Sequence, residues 1–301
     1  MRYWFLLVSI SVCGCKTTDE TQTKAEEFSS LVNIPFRYSS VPDIDRAAAE
    51  KKYSALKGGL REKNKQTNPE SIFELMRAAR LAGHPASEVT EYAQQLMAQN
   101  LDKSNSELIA KTDLETALQA ITDRKLSLAE YHLDRAGKSS VANTRADVAL
   151  ARGVLAYLKN DHEAAAAAWN ESLKLTPGQK AASINLAYLS LRTGDGGRAR
   201  RLLEPHQGDW FAAAGLISAY RLTGQNQLAE STCEKVLSSE QKHAPTLVNC
   251  AIHQMQFRRD QPRANILLNR AIASTERPDL KEYAFVLKQK WGATPPTSKS
   301  N

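Results

Sequence analysis

Four cysteines and six histidines are the residues of this chain best suited to ligate a metal or attack a substrate. Cys13 and Cys15 form a C-x-C pair at the edge of a short apolar run, after which the sequence turns polar at Lys16. Such a pair could hold a metal or cycle as two thiols. A metal site needs further ligands, and the nearest histidine is His84. His84, His132, His162, His206, His243 and His253 follow no H-E-x-x-H or other ligand spacing. No G-x-S-x-G, P-loop or dinucleotide glycine fingerprint occurs. The expectation is a non-enzyme, with no catalytic residue, no metal, no cofactor and no small-molecule substrate. Cys233 and Cys250 are either two buried small apolar residues or a disulfide, and one pair in so long a chain is not a disulfide framework.

Charge narrows the partners. The formal net charge is +7. Residues 190–301 carry 16 Lys/Arg against 10 Asp/Glu, whereas residues 16–110 carry 13 against 14 and residues 111–189 carry 10 against 9. Arg198, Arg200, Arg201, Arg258 and Arg259 form the local runs. These are either a solvated helix face or a patch for an acidic partner or anionic polymer. No aromatic residues interleave with the arginines as stacking platforms would, which argues against nucleic acid.

The N-terminus has Arg2, then a ten-residue apolar stretch from Tyr3 to Val12. That length suits an export signal and is too short to span a bilayer. Val12-Cys13-Gly14-Cys15 resembles the lipobox of bacterial lipoproteins: Gly14 precedes Cys15, and Val12 stands three places before it. Cys13 does not fit, because bulky Val12 precedes it. The resemblance implies cleavage between Gly14 and Cys15, acyl chains on Cys15 and a membrane-anchored mature protein. Lys16, in place of an Asp, implies the periplasmic side of the outer membrane. Residues 1–14 then read as signal peptide and 15–43 as the lipidated N-terminus and tether. Residues 293–301 read as a tail.

The elements that carry any site are helical. Aromatics make up 7% of the chain, alanine runs recur and alternating β-type patterns are rare. The segment from Ala146, ADVALARGVLAYLKNDHEAAAAAWNESLKLTPG, contains Gly153, then Ala165 twelve residues on, Trp169 four further, and Pro177. Ala117, Gly153, Ala187, Ile217 and Ile252 are each followed at twelve by Ala129, Ala165, Ala199, Ala229 and Ala264. Four residues later stand Leu133, Trp169, Leu203, Cys233 and Leu268. The alanine marks a close helix crossing, and the larger residue one turn on fills the gap beside it. This register resembles the tetratricopeptide repeat (TPR), with offsets of 36, 34, 30 and 35 around a period of 34. It implies an all-α, right-handed superhelix of helix-turn-helix repeats over 110–292, closed by a helix at Lys281 to Trp291. Residues 44–109 are expected to hold N-terminal helices: Ile44 to Gly58, then a degenerate repeat from Ser71 to Leu81 and Glu88 to Gln99. Pro205 is expected to stop its helix early, because proline inside a helix costs about 3 kcal/mol.

In such a superhelix the first helices line a groove. Its positions read Lys111, Leu114, Leu118, Ile121; Asp147, Leu150, Val154, Tyr157; Ala181, Ile184, Tyr188, Leu191; Phe211, Ala214, Ser218, Arg221; and Thr246, Asn249, His253, Gln256. The Lys and Asn carboxylate clamp of some TPR domains is absent. The candidate partner residues are Leu114, Leu118, Val154, Tyr157, Ile184, Tyr188, Leu191, Phe211 and Arg221, suited to an amphipathic helix or apolar peptide. They equally could bury between repeats, or be filled by the chain's own tether. The expected function is a lipid-anchored protein–protein interaction scaffold of the cell envelope, serving a type IV pilus/secretin or gliding-motility assembly. The alternatives are an adaptor for peptidoglycan hydrolases or proteases, and an enzyme with an unrecognised site.

Overall fold

The computed structural model describes residues 46–62, 68–99, 106–238, 243–275 and 278–292. Gly14, Cys15, the tether and the tail lie outside these. The described residues form α1 (Arg46–Glu62), α2 (Pro69–Ala82), α3 (Ala86–Ala98), α4 (Ser106–Thr122), α5 (Leu126–Ala136), α6 (Ala142–Leu158) and α7 (His162–Leu175). They continue with α8 (Lys180–Arg192), α9 (Gly196–Leu203), α10 (Trp210–Leu222), α11 (Asn226–Ser238), α12 (Ala244–His253), α13 (Gln261–Ser274) and α14 (Pro278–Gly292). The expected all-α solenoid is the observed one. From α2 onward even-numbered helices are the first, and odd-numbered the second, of successive hairpins.

Local chemistry sets the boundaries. Asn68, Asp161, Asp195, Asp209 and Asp260 each accept a backbone N–H of the following first turn, satisfying donors the helix leaves unpaired. Gly83 ends α2 in the left-handed conformation, and the next N–H, of His84, reaches back to Ala79 O at 3.0 Å. Arg124, Asn160, Gly194, Gly224 and Arg259, one in each later hairpin turn, also have positive φ. They are spaced 36, 34, 30 and 35 apart, so the backbone repeats with the same offsets as the side chains.

The repeat positions are the core. Ala117, Ala187, Ile217 and Ile252 are fully buried, as are Ala129, Ala165, Ala199, Ala229 and Ala264. So are the plugs Trp169, Leu203, Cys233 and Leu268, with Leu133 at 1%. In four of the five units crossing and plug trade size, a smaller crossing residue going with a larger plug; Ile252 with Leu268 is the exception. Gly153 faces Trp169, where an added Cβ would lie 2.3 Å from Nε1; Ala117 and Ala187 belong with Leu133 and Leu203. Cys233 is bonded to Cys250, a disulfide joining α11 to α12.

The unit containing Pro205 is cut short. α9 has 8 residues and passes into a 3-10 turn, Glu204–His206, with Pro205 in its first turn. Two glycines let α10 close onto it: a Cβ on Gly196 would meet Leu222 Cβ at 2.7 Å, and one on Gly215 would meet Leu203 Cδ1 at 2.6 Å.

Candidate functional site: the row of first helices

Hydrogen bonds join successive first helices, four of them between residues 35 or 36 apart in sequence and one, from Tyr188 to Phe211, 23 apart. Arg192 donates to Tyr157 Oη at 3.2 Å and Tyr188 Oη donates to Phe211 O at 2.8 Å. Thr246 Oγ1 donates to Trp210 O at 3.0 Å, Asn249 Nδ2 to Ala214 O at 2.8 Å, and Arg221 to Gln256. α8, α10 and α12 are thus neighbours in parallel register.

The N-terminal end of the row is charged. Arg80 Nε donates to the buried Glu115, and Arg77 lies 3.5 Å from its other oxygen. Asp147 accepts Gln179 Nε2 at 2.8 Å. Burial pushes the Asp147 carboxyl up to about 6; Arg77 and Gln179 oppose the rise and Glu115 adds to it.

Of the nine candidate partner residues, Leu114, Leu118, Val154, Ile184, Tyr188 and Leu191 are 7, 1, 1, 2, 4 and 2% exposed and belong to the hydrophobic core. They pack in cores shared with the second helices, which leaves them little surface to offer. Tyr157, Phe211 and Arg221 are half-buried and are the members of the set that the row presents. Arg198 and Arg201 project from α9, a second helix, rather than from the row. On the outer side, a cavity of about 350 Å³ lies among α5, α6 and α7. Four of its charges are paired, Arg152 with Asp134 at 2.9 Å and Lys159 with Glu130 at 2.8 Å, and Asp161 caps α7.

At the other end the helix changes pitch. Gln254–Arg258 is a π turn, closed by Arg259. It carries Phe257, 44% exposed, stacked on buried His253 at 5.3 Å between ring centroids. Nothing in the segment QMQFRRD signals this turn, because π geometry has no propensity signature of its own. Among the described residues no cluster of three His, Cys, Asp or Glu could hold a metal ion, and no helix is long and apolar enough to cross a membrane.

No protein-family model and no curated protein matches the chain. Solved structures do. A tetratricopeptide repeat protein from Parabacteroides merdae superposes with a TM-score of 0.56 at 14% identity, over 89% of this chain and 99% of that one. Yeast Tom70 gives 0.51 at 11% identity, over 93% of this chain and 66% of that one. YrrB, described as a TPR protein with an unusual peptide-binding site, gives 0.46 at 15%, over 64% and 97%. With the repeat register and the helix order, the first two comparisons establish that this chain has the tetratricopeptide-repeat solenoid fold.

Proposed function

We propose that the chain is a non-catalytic scaffold that binds a protein segment along its first-helix row, held at the cell envelope by acyl chains on Cys15. One observation carries the binding reading: α8, α10 and α12 stand in a row that Arg192 ties to Tyr157 of α6, and the half-buried members of the candidate set along it are Tyr157, Phe211 and Arg221. Tyr and Arg are among the residue types over-represented at interface hot spots. The lipobox-like VCGC supports the anchor, and the Cys233–Cys250 disulfide supports an oxidising compartment such as the periplasm. Support of an envelope assembly, of the pilus/secretin or gliding-motility kind, is the role that this combination suits.

The test is crosslinking and affinity purification from envelopes, comparing wild type with Tyr157→Ala/Phe211→Ala. Loss of specific partners from the variant is expected; an unchanged partner set rejects the row as the binding face. Incorporation of labelled palmitate into wild type but not Cys15→Ala is expected, and equal incorporation rejects the anchor.

A further inference from the structure

The first helices of the C-terminal half all end on arginine. Arg192 is the last residue of α8, Arg221 the last but one of α10, and Arg258 and Arg259 close the π turn that continues α12. A cation there offsets the negative end of the helix dipole, which accounts for the residue type but not for where the head groups point. Arg192, Arg258 and Arg259 are exposed and Arg221 is half-buried. Hydrogen bonds tie the positions into one lane. Arg192 donates to Tyr157 Oη at the end of α6, and Arg221 donates to Gln256, next to exposed Phe257.

The carboxylates on this edge are already committed. Asp195 and Asp260 cap α9 and α13, accepting the N–H of Arg198 at 2.8 Å and of Arg263 at 3.0 Å. Glu230 lies 2.9 Å from His253 Nε2, accepts Gln254 Nε2 at 3.2 Å and stands 4.0 Å from Arg258. Among the described residues no carboxylate pairs with Arg192 or Arg259; Arg192 instead lies over the Tyr157 ring at 6.0 Å. The field of the lane reaches its neighbours. Burial holds the His162 imidazole below its usual range, with Arg192 adding to that and Asp161 opposing it. Arg221 and Arg258 act in the same sense on buried His253, against Glu230.

Spacing selects the partner. Packed helices lie about 8–10 Å apart, and an extended chain advances about 3.3 Å per residue. One arginine per helix end therefore meets every third residue of an extended segment laid across the helices. Carboxylates at those places give Arg192 and Arg259 the charged partner they lack, in the forked geometry a guanidinium favours. A nucleic-acid strand carries a phosphate at every nucleotide and would press surplus charge against Asp195, Glu230 and Asp260. A bilayer is flat, whereas the lane follows the curve of the solenoid. We propose that Arg192, Arg221, Arg258 and Arg259, with Tyr157 and Phe257 between them, form a lane for an extended acidic segment of a protein partner that carries Asp or Glu about every third residue. The inference rests on the row of first helices being the binding face, and names the chemistry of what it binds.

The probe is a rhodamine-labelled peptide of four Glu separated by pairs of Gly and Ser, titrated onto the full chain in uncharged detergent and followed by fluorescence anisotropy. It is expected to bind about ten-fold more tightly than its Gln counterpart, and several-fold more tightly than a peptide with the four Glu side by side. Arg192→Gln, Arg221→Gln and Arg258→Gln/Arg259→Gln are each expected to weaken it several-fold, while Arg145→Gln, at the other end of α6, leaves it unchanged. Proton NMR should show the His162 pKa rising as the peptide saturates, which an Arg192 serving the helix dipole alone would not produce. Equal binding of the clustered peptide, or arginine variants that bind like wild type, overturns the lane. Tighter binding of oligothymidylate or of phosphatidylglycerol vesicles overturns the acidic segment as its occupant. Peptide binding with no envelope protein captured sinks the scaffold reading and keeps the lane; captured protein with no affinity for the acidic peptides sinks the lane alone.

Discussion

The pairing of Gly153 with Trp169 makes the sharpest test of how the repeats are packed. In Gly153→Ala the new Cβ would fall 2.3, 2.4 and 2.8 Å from three Trp169 ring atoms, so the indole must move. Overpacking of this kind costs roughly 1–3 kcal/mol. Moving the ring also breaks the buried Nε1–H bond to Leu150 O at 3.2 Å, and stranding that donor costs a further ~1–3 kcal/mol. Replacing glycine in a helix returns only about 1 kcal/mol. The expected net loss is about 1–5 kcal/mol. Trp169→Leu alone leaves a cavity and costs about 2–4 kcal/mol. The double variant recreates the Ala/Leu combination of the units built on Ala117–Leu133 and Ala187–Leu203. It should therefore be less destabilised than the sum of the singles by at least about 2 kcal/mol. Urea denaturation of all four proteins, followed by far-UV circular dichroism, closes the cycle. Additivity within about 0.5 kcal/mol would refute the argument that crossing size and plug size are matched.

Reduction of Cys233–Cys250, which are 17 residues apart, should lower stability by about 3 kcal/mol on the loop-entropy estimate. Reductant should shift the urea midpoint of wild type and leave Cys250→Ala unmoved. The raised Asp147 pKa means that the native state binds the extra proton, so stability falls as pH rises from about 3.8 to about 6. Asp147→Asn should abolish that slope and gain up to ~3 kcal/mol at pH 8, read from urea midpoints across pH; an unchanged slope places the titration elsewhere. His84 lies 2.7 Å from both Glu50 of α1 and Glu88 of α3, and the bond to Glu50, with Glu88 contributing, raises its pKa. The contact is at full strength below the unfolded pKa of about 6.5 and is lost as pH rises through the higher folded value. Proton NMR titration should show a raised His84 pKa that Glu50→Gln lowers, with α1 amide protection, corrected for intrinsic exchange, decaying above it.

How much of this was legible in the chain depends on whether a feature is periodic. The five A-x₃-plug positions, the short helix before Pro205 and the turns repeat in register or break it conspicuously, and all can be read from spacing. The degenerate first unit was also legible: α2 and α3 span the expected Ser71–Leu81 and Glu88–Gln99 to within a few residues, because Gly83-His84-Pro85 punctuates them. The groove list was legible only as positions. Val154 and Tyr157 fall on one helix face by sequence, yet one is core and the other half-buried, because exposure depends on how closely neighbouring helices approach. The π turn has no local pattern, and the contact of His253 with Glu230, 23 residues apart, is tertiary and leaves none either.

α8 has no outward face along most of its length: every residue from 181 to 191 is buried. Ala181, Ala182, Leu186 and Leu189 pack with the units before it, while Ile184, Ala187, Tyr188 and Leu191 pack with those after. Among the described residues the solenoid holds three cores, and α8 is the party wall between the second and the third, neither of which can be finished without it. A chain emerging from the ribosome cannot complete its second core until Leu189 is out, and any fragment cut between the second and third cores must carry α8 with it. Domain dissection should accordingly yield two overlapping stable pieces, never two abutting ones.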